Sequence, residues 1–136
     1  MRYYLDTNTL IFYLKEDLDY DSTAIINDYS NRIYISTIAM KEFIHWLQTK
    51  KFQLKNNIKP KDAIAFIQDT LGFKIIDTNT IHLNQFANLP LFADHTDPND
   101  RLIIAQAISD KINIISCDSK FHYYEKYGLK LIKATH

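Results

Sequence analysis

Short apolar runs of β-branched and aromatic residues recur along this chain, and a helical pattern lies between each run and the next. Tyr3-Tyr4-Leu5, Ile33-Tyr34-Ile35, Phe73-Lys74-Ile75-Ile76, Ile112-Asn113-Ile114-Ile115-Ser116 and Leu129-Lys130-Leu131-Ile132 read as strands. Strands separated by helices are joined by crossovers rather than hairpins, which makes them parallel neighbours. The expected architecture is therefore α/β, a mainly parallel sheet covered by helices on both faces.

The intervening segments carry helix signals. Leu10, Ile11, Tyr13 and Leu14 mark a first helix, and the acidic stretch 16–21 reads as a solvated turn before a second helix over 22–29. Ser36 or Thr37 suits the cap of a long helix running to about Phe52. Pro60 fits the first turn of the next helix, whose apolar stripe is Ala63, Phe66, Ile67 and Leu71. Further helices are expected over 80–87, 102–109 and 121–127. Gly72 and Gly128 fall at helix-to-strand junctions, where a left-handed cap suits glycine.

Composition narrows the function classes. A chain of 136 residues with 46% hydrophobic content suits a single domain, residues 1–136, with a real core. Sixteen basic and sixteen acidic residues cancel, so a nucleic-acid partner needs a local patch rather than a global field. One cysteine, Cys117, forms no internal disulfide and suits a reducing cytoplasm. Asp6 interrupts the first apolar run, which argues against a signal peptide, and no membrane span is expected. The histidines lack zinc spacing, and neither a Gly-rich phosphate loop nor a Gly-x-Ser-x-Gly elbow occurs.

Carboxylates stand where apolar residues are expected. Asp6 ends the first strand, and Asp118 follows the fourth. Glu42 shares a helical stripe with Ile38, Ala39 and Trp46, while Asp100 leads a stripe continued by Ile103, Ile104 and Ala107. Each has a local explanation too: Asp6 and Asp118 suit helix N-caps, Asp100 suits the third position of a helix, and Glu42 suits a stripe edge that reaches water. Asp97-Pro98-Asn99-Asp100 resembles a capping box, which accounts for Asp97 structurally. Asn8 offers a second cap or a hydrogen bond to Asp6, and Ser116 can bond into the same region. In parallel sheets, sites form beyond the carboxyl ends of strands, where Asp6 and Asp118 lie. Converging carboxylates repel, and Mg²⁺ or Mn²⁺ relieves that with the oxygen ligands it prefers. Such a centre suits phosphoester hydrolysis by metal-activated water.

These residues resemble the PIN-domain nucleases. The likeness is carried by Tyr4-Leu5-Asp6-Thr7-Asn8, Lys41-Glu42-Phe43, the block from His95 through Asp97-Pro98-Asn99-Asp100-Arg101 to Ala107, and Ile115-Ser116-Cys117-Asp118. It spans essentially the whole chain and is strongest to the VapC-type toxins of bacterial toxin–antitoxin pairs. The resemblance implies a three-layer α/β/α fold with a five-stranded sheet of order 3-2-1-4-5. It implies an endoribonuclease dependent on Mg²⁺ or Mn²⁺, with Asp6, Glu42, Asp100 and Asp118 at the acidic positions and Asn8, Asp97 and Ser116 supporting them. A small cognate antitoxin and a homodimer follow from the same resemblance.

Two other functions compete. An aspartyl-nucleophile phosphatase would use Asp6, but Thr7-Asn8 lacks the second acid expected two positions on. A non-catalytic protein-binding module would keep the acids for solubility. Lys50, Lys51, Lys55, Lys59 and Lys61 could meet RNA phosphates, although a solvated charge run is the simpler reading. Arg101 is read as touching substrate or pairing with an acid. His95 is read as a structural hydrogen bonder that could orient a carboxylate.

Overall fold

A computed structural model describes residues 1–136. Five parallel strands form one sheet in the order β3-β2-β1-β4-β5. They are β1 (Arg2–Leu5), β2 (Arg32–Ser36), β3 (Lys74–Ile76), β4 (Asn113–Ser116) and β5 (Leu131–Lys133). Each pairs in parallel with its neighbour, with Tyr4 opposite Tyr34 on one side and Ile114 on the other. The central strands read as apolar runs because helices cover the sheet on both faces, and Leu5, Ile35, Ile114 and Ile115 are fully buried.

The connecting helices are α1 (Thr7–Leu14), α2 (Tyr20–Asn27), α3 (Thr37–Gln48), the single turn α4 (Ala63–Ala65), α5 (Thr80–Asn88) and α6 (Pro98–Asp110). A 3₁₀ turn, Pro60–Asp62, leads into α4, and a π turn, Phe66–Thr70, follows it. A 3₁₀ helix, Ser119–Tyr127, joins β4 to β5. No helix is long and apolar enough to cross a membrane.

Several boundaries differ from expectation: the helix begun at Pro60 is split into 3₁₀, α and π segments, α6 and the last helix start earlier, β5 is shifted to Leu131–Lys133, and two further changes have a clear local cause. The second helix begins at Tyr20 because Asp19 caps it, accepting from Ser22 N at 3.0 Å, and so takes up the end of the acidic stretch. The long helix stops at Gln48 rather than near Phe52. Lys50 turns left-handed there (φ 54°), and Lys51 N donates back to the Trp46 carbonyl at 3.0 Å. That six-to-one hydrogen bond is a helix stop that usually recruits glycine.

A polar network runs through the interior between β1, α5 and α6. Tyr4 OH donates to Asp110 Oδ2 at 2.6 Å and accepts from Gln106 Nε2 at 3.0 Å. His82 Nε2 lies 2.9 Å from Asp110 Oδ1, and Thr78 Oγ1 donates to Gln106 Oε1 at 2.7 Å. Gln106 is fully buried, so these partners are what make its burial tolerable.

Tyr4→Phe therefore keeps the ring but strips one acceptor from Gln106 and one donor from Asp110. The expected cost is about 1–3 kcal/mol. It should appear as a lower urea midpoint with an unchanged slope.

Candidate metal centre

The strand order reverses between β1 and β4, which opens a crevice beyond their carboxyl ends. Leu5 faces Ile115 in the ladder, so the next residues, Asp6 and Ser116, leave the sheet side by side. Ser116 Oγ donates to Asp6 Oδ2 at 3.0 Å and accepts from Asp118 N at 3.0 Å. Asp6 is also the N-cap of α1, with Oδ1 accepting from Thr9 N at 3.2 Å. Capping and site-building are thus compatible roles for one carboxylate.

Glu42 arrives from α3, and both its oxygens are engaged. Thr7 Oγ1 donates to Oε1 at 2.6 Å, and Asn99 Nδ2 donates to Oε2 at 3.2 Å. Asn99 Oδ1 in turn accepts from Lys41 Nζ at 3.2 Å. Asp100 sits in the first turn of α6, where the helix dipole favours a negative charge. Asp97 caps that helix through Asn99 N at 2.9 Å and is exposed, as its sequence context suggested. Asp118 caps the 3₁₀ helix through Lys120 N at 2.9 Å.

His95 closes the group from the loop between α5 and α6. Its ring is 4% exposed, and its Nε2 lies 3.7 Å from both Asp100 Oδ2 and Asp118 Oδ2. Its Nδ1 is 2.7 Å from Tyr124 OH. One donor atom from each of His95, Asp100 and Asp118 falls within 4.8 Å of the others. His95 Nε2 has no hydrogen-bond partner, although it is buried.

The electrostatics tie the remaining acids to this group. Burial pushes the Asp100 carboxyl up to about 8, and Asp97, Asp6, Glu42 and Asp118 push in the same direction. Burial raises Asp6 to about 6 against the lowering effect of its hydrogen bonds from Thr9 and Ser116, and Asp118 raises it further. Burial holds the His95 ring below the usual histidine value, with Asp118 and Asp97 pulling the other way. The acids named from the sequence thus share one neighbourhood that is short of positive charge.

Several expectations need correcting. Asn8 is exposed, and Thr9 and Ser116, not Asn8, hold Asp6. Arg101 neither pairs with an acid nor faces the crevice. It is buried, donates to the Leu89 and Pro90 carbonyls at 3.2 and 3.4 Å, and packs on Phe86. Thr7, Thr9, Asn99 and Tyr124 went unread as site residues, because their partners lie far along the chain or on the backbone. The lysines at 55 and 51 are taken up at the surface, one by Glu16 at 3.2 Å and one by the Trp46 ring.

The PIN domain family matches residues 3–127, and the chain belongs to that family. No curated sequence matches it. Similar solved structures include VapBC2 from Rickettsia felis bound to a promoter DNA fragment, 19% identical with a TM-score of 0.68 over 98% of this chain and 99% of that one. DNA-bound VapBC from Salmonella typhimurium is 19% identical with a TM-score of 0.69 over 98% of each chain. FitAcB from Neisseria gonorrhoeae is 14% identical with a TM-score of 0.67 over 96% of each chain. At these identities the likeness is one of fold.

Raised carboxyl values fix the sign of a pH effect. Above about pH 4 the unfolded chain releases protons that Asp6 and Asp100 retain when folded. In EDTA, stability should fall as pH rises from about 4, through about 6 for Asp6 and on to about 8 for Asp100. Asp100→Asn should flatten much of that decline, read as Tm against pH. A metal-free wild type whose Tm holds steady across this window would contradict the assigned burial of charge.

Proposed function

We propose that this PIN-family chain, residues 1–136, is a single-domain, divalent-metal-dependent endoribonuclease, the toxin component of a toxin–antitoxin pair. The observation that carries this reading is the charge deficit around Asp100, where buried or half-buried acids repel one another and a divalent cation would relieve them without protonation. The donor set fits Mg²⁺ or Mn²⁺: hard carboxylate oxygens of Asp100 and Asp118 beside a buried ring nitrogen without a partner, with Asp6 and Glu42 in the same electrostatic neighbourhood. Asp6, Glu42, Asp100 and Asp118 would hold the ion, directly or through water. A bound ion supplies Lewis acidity at the scissile phosphate and eases deprotonation of a water.

The chain's own groups do the positioning. Ser116 and Thr9 fix the Asp6 carboxylate, while Thr7 and Asn99 fix that of Glu42. Preorganised ligands spare the reorganisation that would otherwise accompany substrate binding. The net charge of zero leaves RNA to be held by local contacts and by the ion itself.

Similar solved structures include VapBC assemblies, one of them, from Mycobacterium tuberculosis, a member of the VapBC family of toxin–antitoxin systems, which supports a small antitoxin partner. The single free cysteine suits a cytoplasmic setting for both. An antitoxin arginine reaching the acids would satisfy the same charge deficit, because its guanidinium matches carboxylate geometry. A homodimer is part of this proposal, and the exposed apolar side chains of Ile81, Leu83 and Leu91 on and just beyond α5 are available to it.

Asp6→Asn and Asp118→Asn should each reduce Mg²⁺-dependent RNA cleavage to background while circular dichroism stays native. Undiminished turnover in both, with protein free of contaminating nuclease, would refute the reading. Sedimentation should give a species near twice the chain mass of 16.0 kDa. A Leu83→Asp variant should sediment as the monomer.

A further inference from the structure

Nothing in the PIN resemblance assigns a role to His95, yet the structure leaves its Nε2 in an unusual position. The ring is buried and anchored at its other end: Nδ1 is 2.7 Å from Tyr124 OH, and the ring edges pack against Phe121 and Tyr124. The backbone is pinned as well, with His95 N donating to the Phe92 carbonyl at 3.1 Å. The imidazole is therefore held in place, with Nε2 aimed between the Asp100 and Asp118 carboxylates. It stands 3.7 Å from each, too far for a hydrogen bond to either. A buried polar atom without a partner is costly and rare.

The spacing suits a shared cation. Ligand bonds of about 2.1 Å put donor atoms about 3 Å apart at adjacent octahedral positions and about 4.2 Å apart at opposite ones. The distances of 3.7 Å from Nε2 to each carboxylate lie inside that range. With Nε2 engaged, Nδ1 carries the ring proton and donates to the Tyr124 oxygen, the kind of outer contact that orients a histidine ligand.

We propose that His95 Nε2 is a nitrogen ligand beside Asp100 and Asp118, which makes this a mixed nitrogen–oxygen centre that selects Mn²⁺ over Mg²⁺. Mn²⁺ shares the Mg²⁺ preference for carboxylate oxygen but, as a first-row transition ion, also accepts an imidazole nitrogen, whereas Mg²⁺ keeps to oxygen donors and water. This inference rests on the metal-centre reading above and extends it to the identity of the ion.

The test uses the full chain with Mn²⁺ alone and Mg²⁺ alone. Pulsed electron paramagnetic resonance on the Mn²⁺ form should show modulation from a directly bound imidazole nitrogen. That modulation should vanish in His95→Gln and persist in His45→Gln. By calorimetry, His95→Gln should weaken Mn²⁺ roughly tenfold or more, as loss of a ligand or its orienting partner does, with Mg²⁺ affinity changed much less. If His95→Gln does not fold, wild type labelled with ¹⁵N-histidine gives the same answer through a shift of the modulation frequency, and Tyr124→Phe should weaken Mn²⁺ binding while leaving the modulation in place. Mn²⁺ binding that Asp118→Asn weakens, but that carries no histidine signal, would overturn this proposal and leave the oxygen-ligand centre standing. A wild-type chain that binds no Mn²⁺ would overturn both.

Discussion

Parallel pairing of β1 with β4 is the constraint on which the candidate centre depends. It brings the two ends of the chain's first 118 residues together at a reversal of strand order, so that Asp6 and Ser116 emerge from the sheet next to one another. The Ser116 hydroxyl then ties Asp6 to the backbone of Asp118. Glu42 and Asp100 reach the same crevice from α3 and α6, and Asn99 links those two helices through its bond to Glu42. If β1 and β4 were not neighbours, Asp6 and Asp118 would be ordinary helix caps.

The fold was largely legible because its strands are short runs rich in apolar, β-branched or aromatic residues, the central three being largely buried. Such runs need no long-range information to be recognised. The helix boundaries were less so, for reasons the structure supplies. Lys50 takes a left-handed conformation at a position where sequence habit expects glycine, so nothing in the lysine-rich stretch announced the end of α3. Asp19 caps α2 from within an acidic run that reads equally well as solvated turn. The strand order came from the family resemblance, and the sheet has that order.

Within the candidate centre, the acids were visible because a charge inside an apolar pattern is locally conspicuous. Their helpers were not. Thr7 and Asn99 reach Glu42 across 35 and 57 residues of chain, and Tyr124 reaches His95 across 29. A hydroxyl or an amide at those positions looks ordinary until the fold is known. Arg101 shows the converse error. Its place beside Asp100 suggested substrate or an acid partner, but helical geometry turns neighbours about 100° apart, and its guanidinium ends on backbone carbonyls.

Those carbonyls belong to the segment that carries His95. Arg101 grips Leu89 and Pro90 from α6, while Lys120 and Tyr123 of the 3₁₀ helix hold the Asp94 carbonyl and carboxylate at 2.7 Å each. The segment 89–97 is thus stapled from both sides and has no slack. Change in chain length is consequently unequal across this fold. The mostly exposed connection 49–59 should accept an added residue at smaller cost than the segment 89–97, where the tethers hold the His95 imidazole in register with Asp100. A buried guanidinium on α6 thus sets how firmly the His95 loop is tethered.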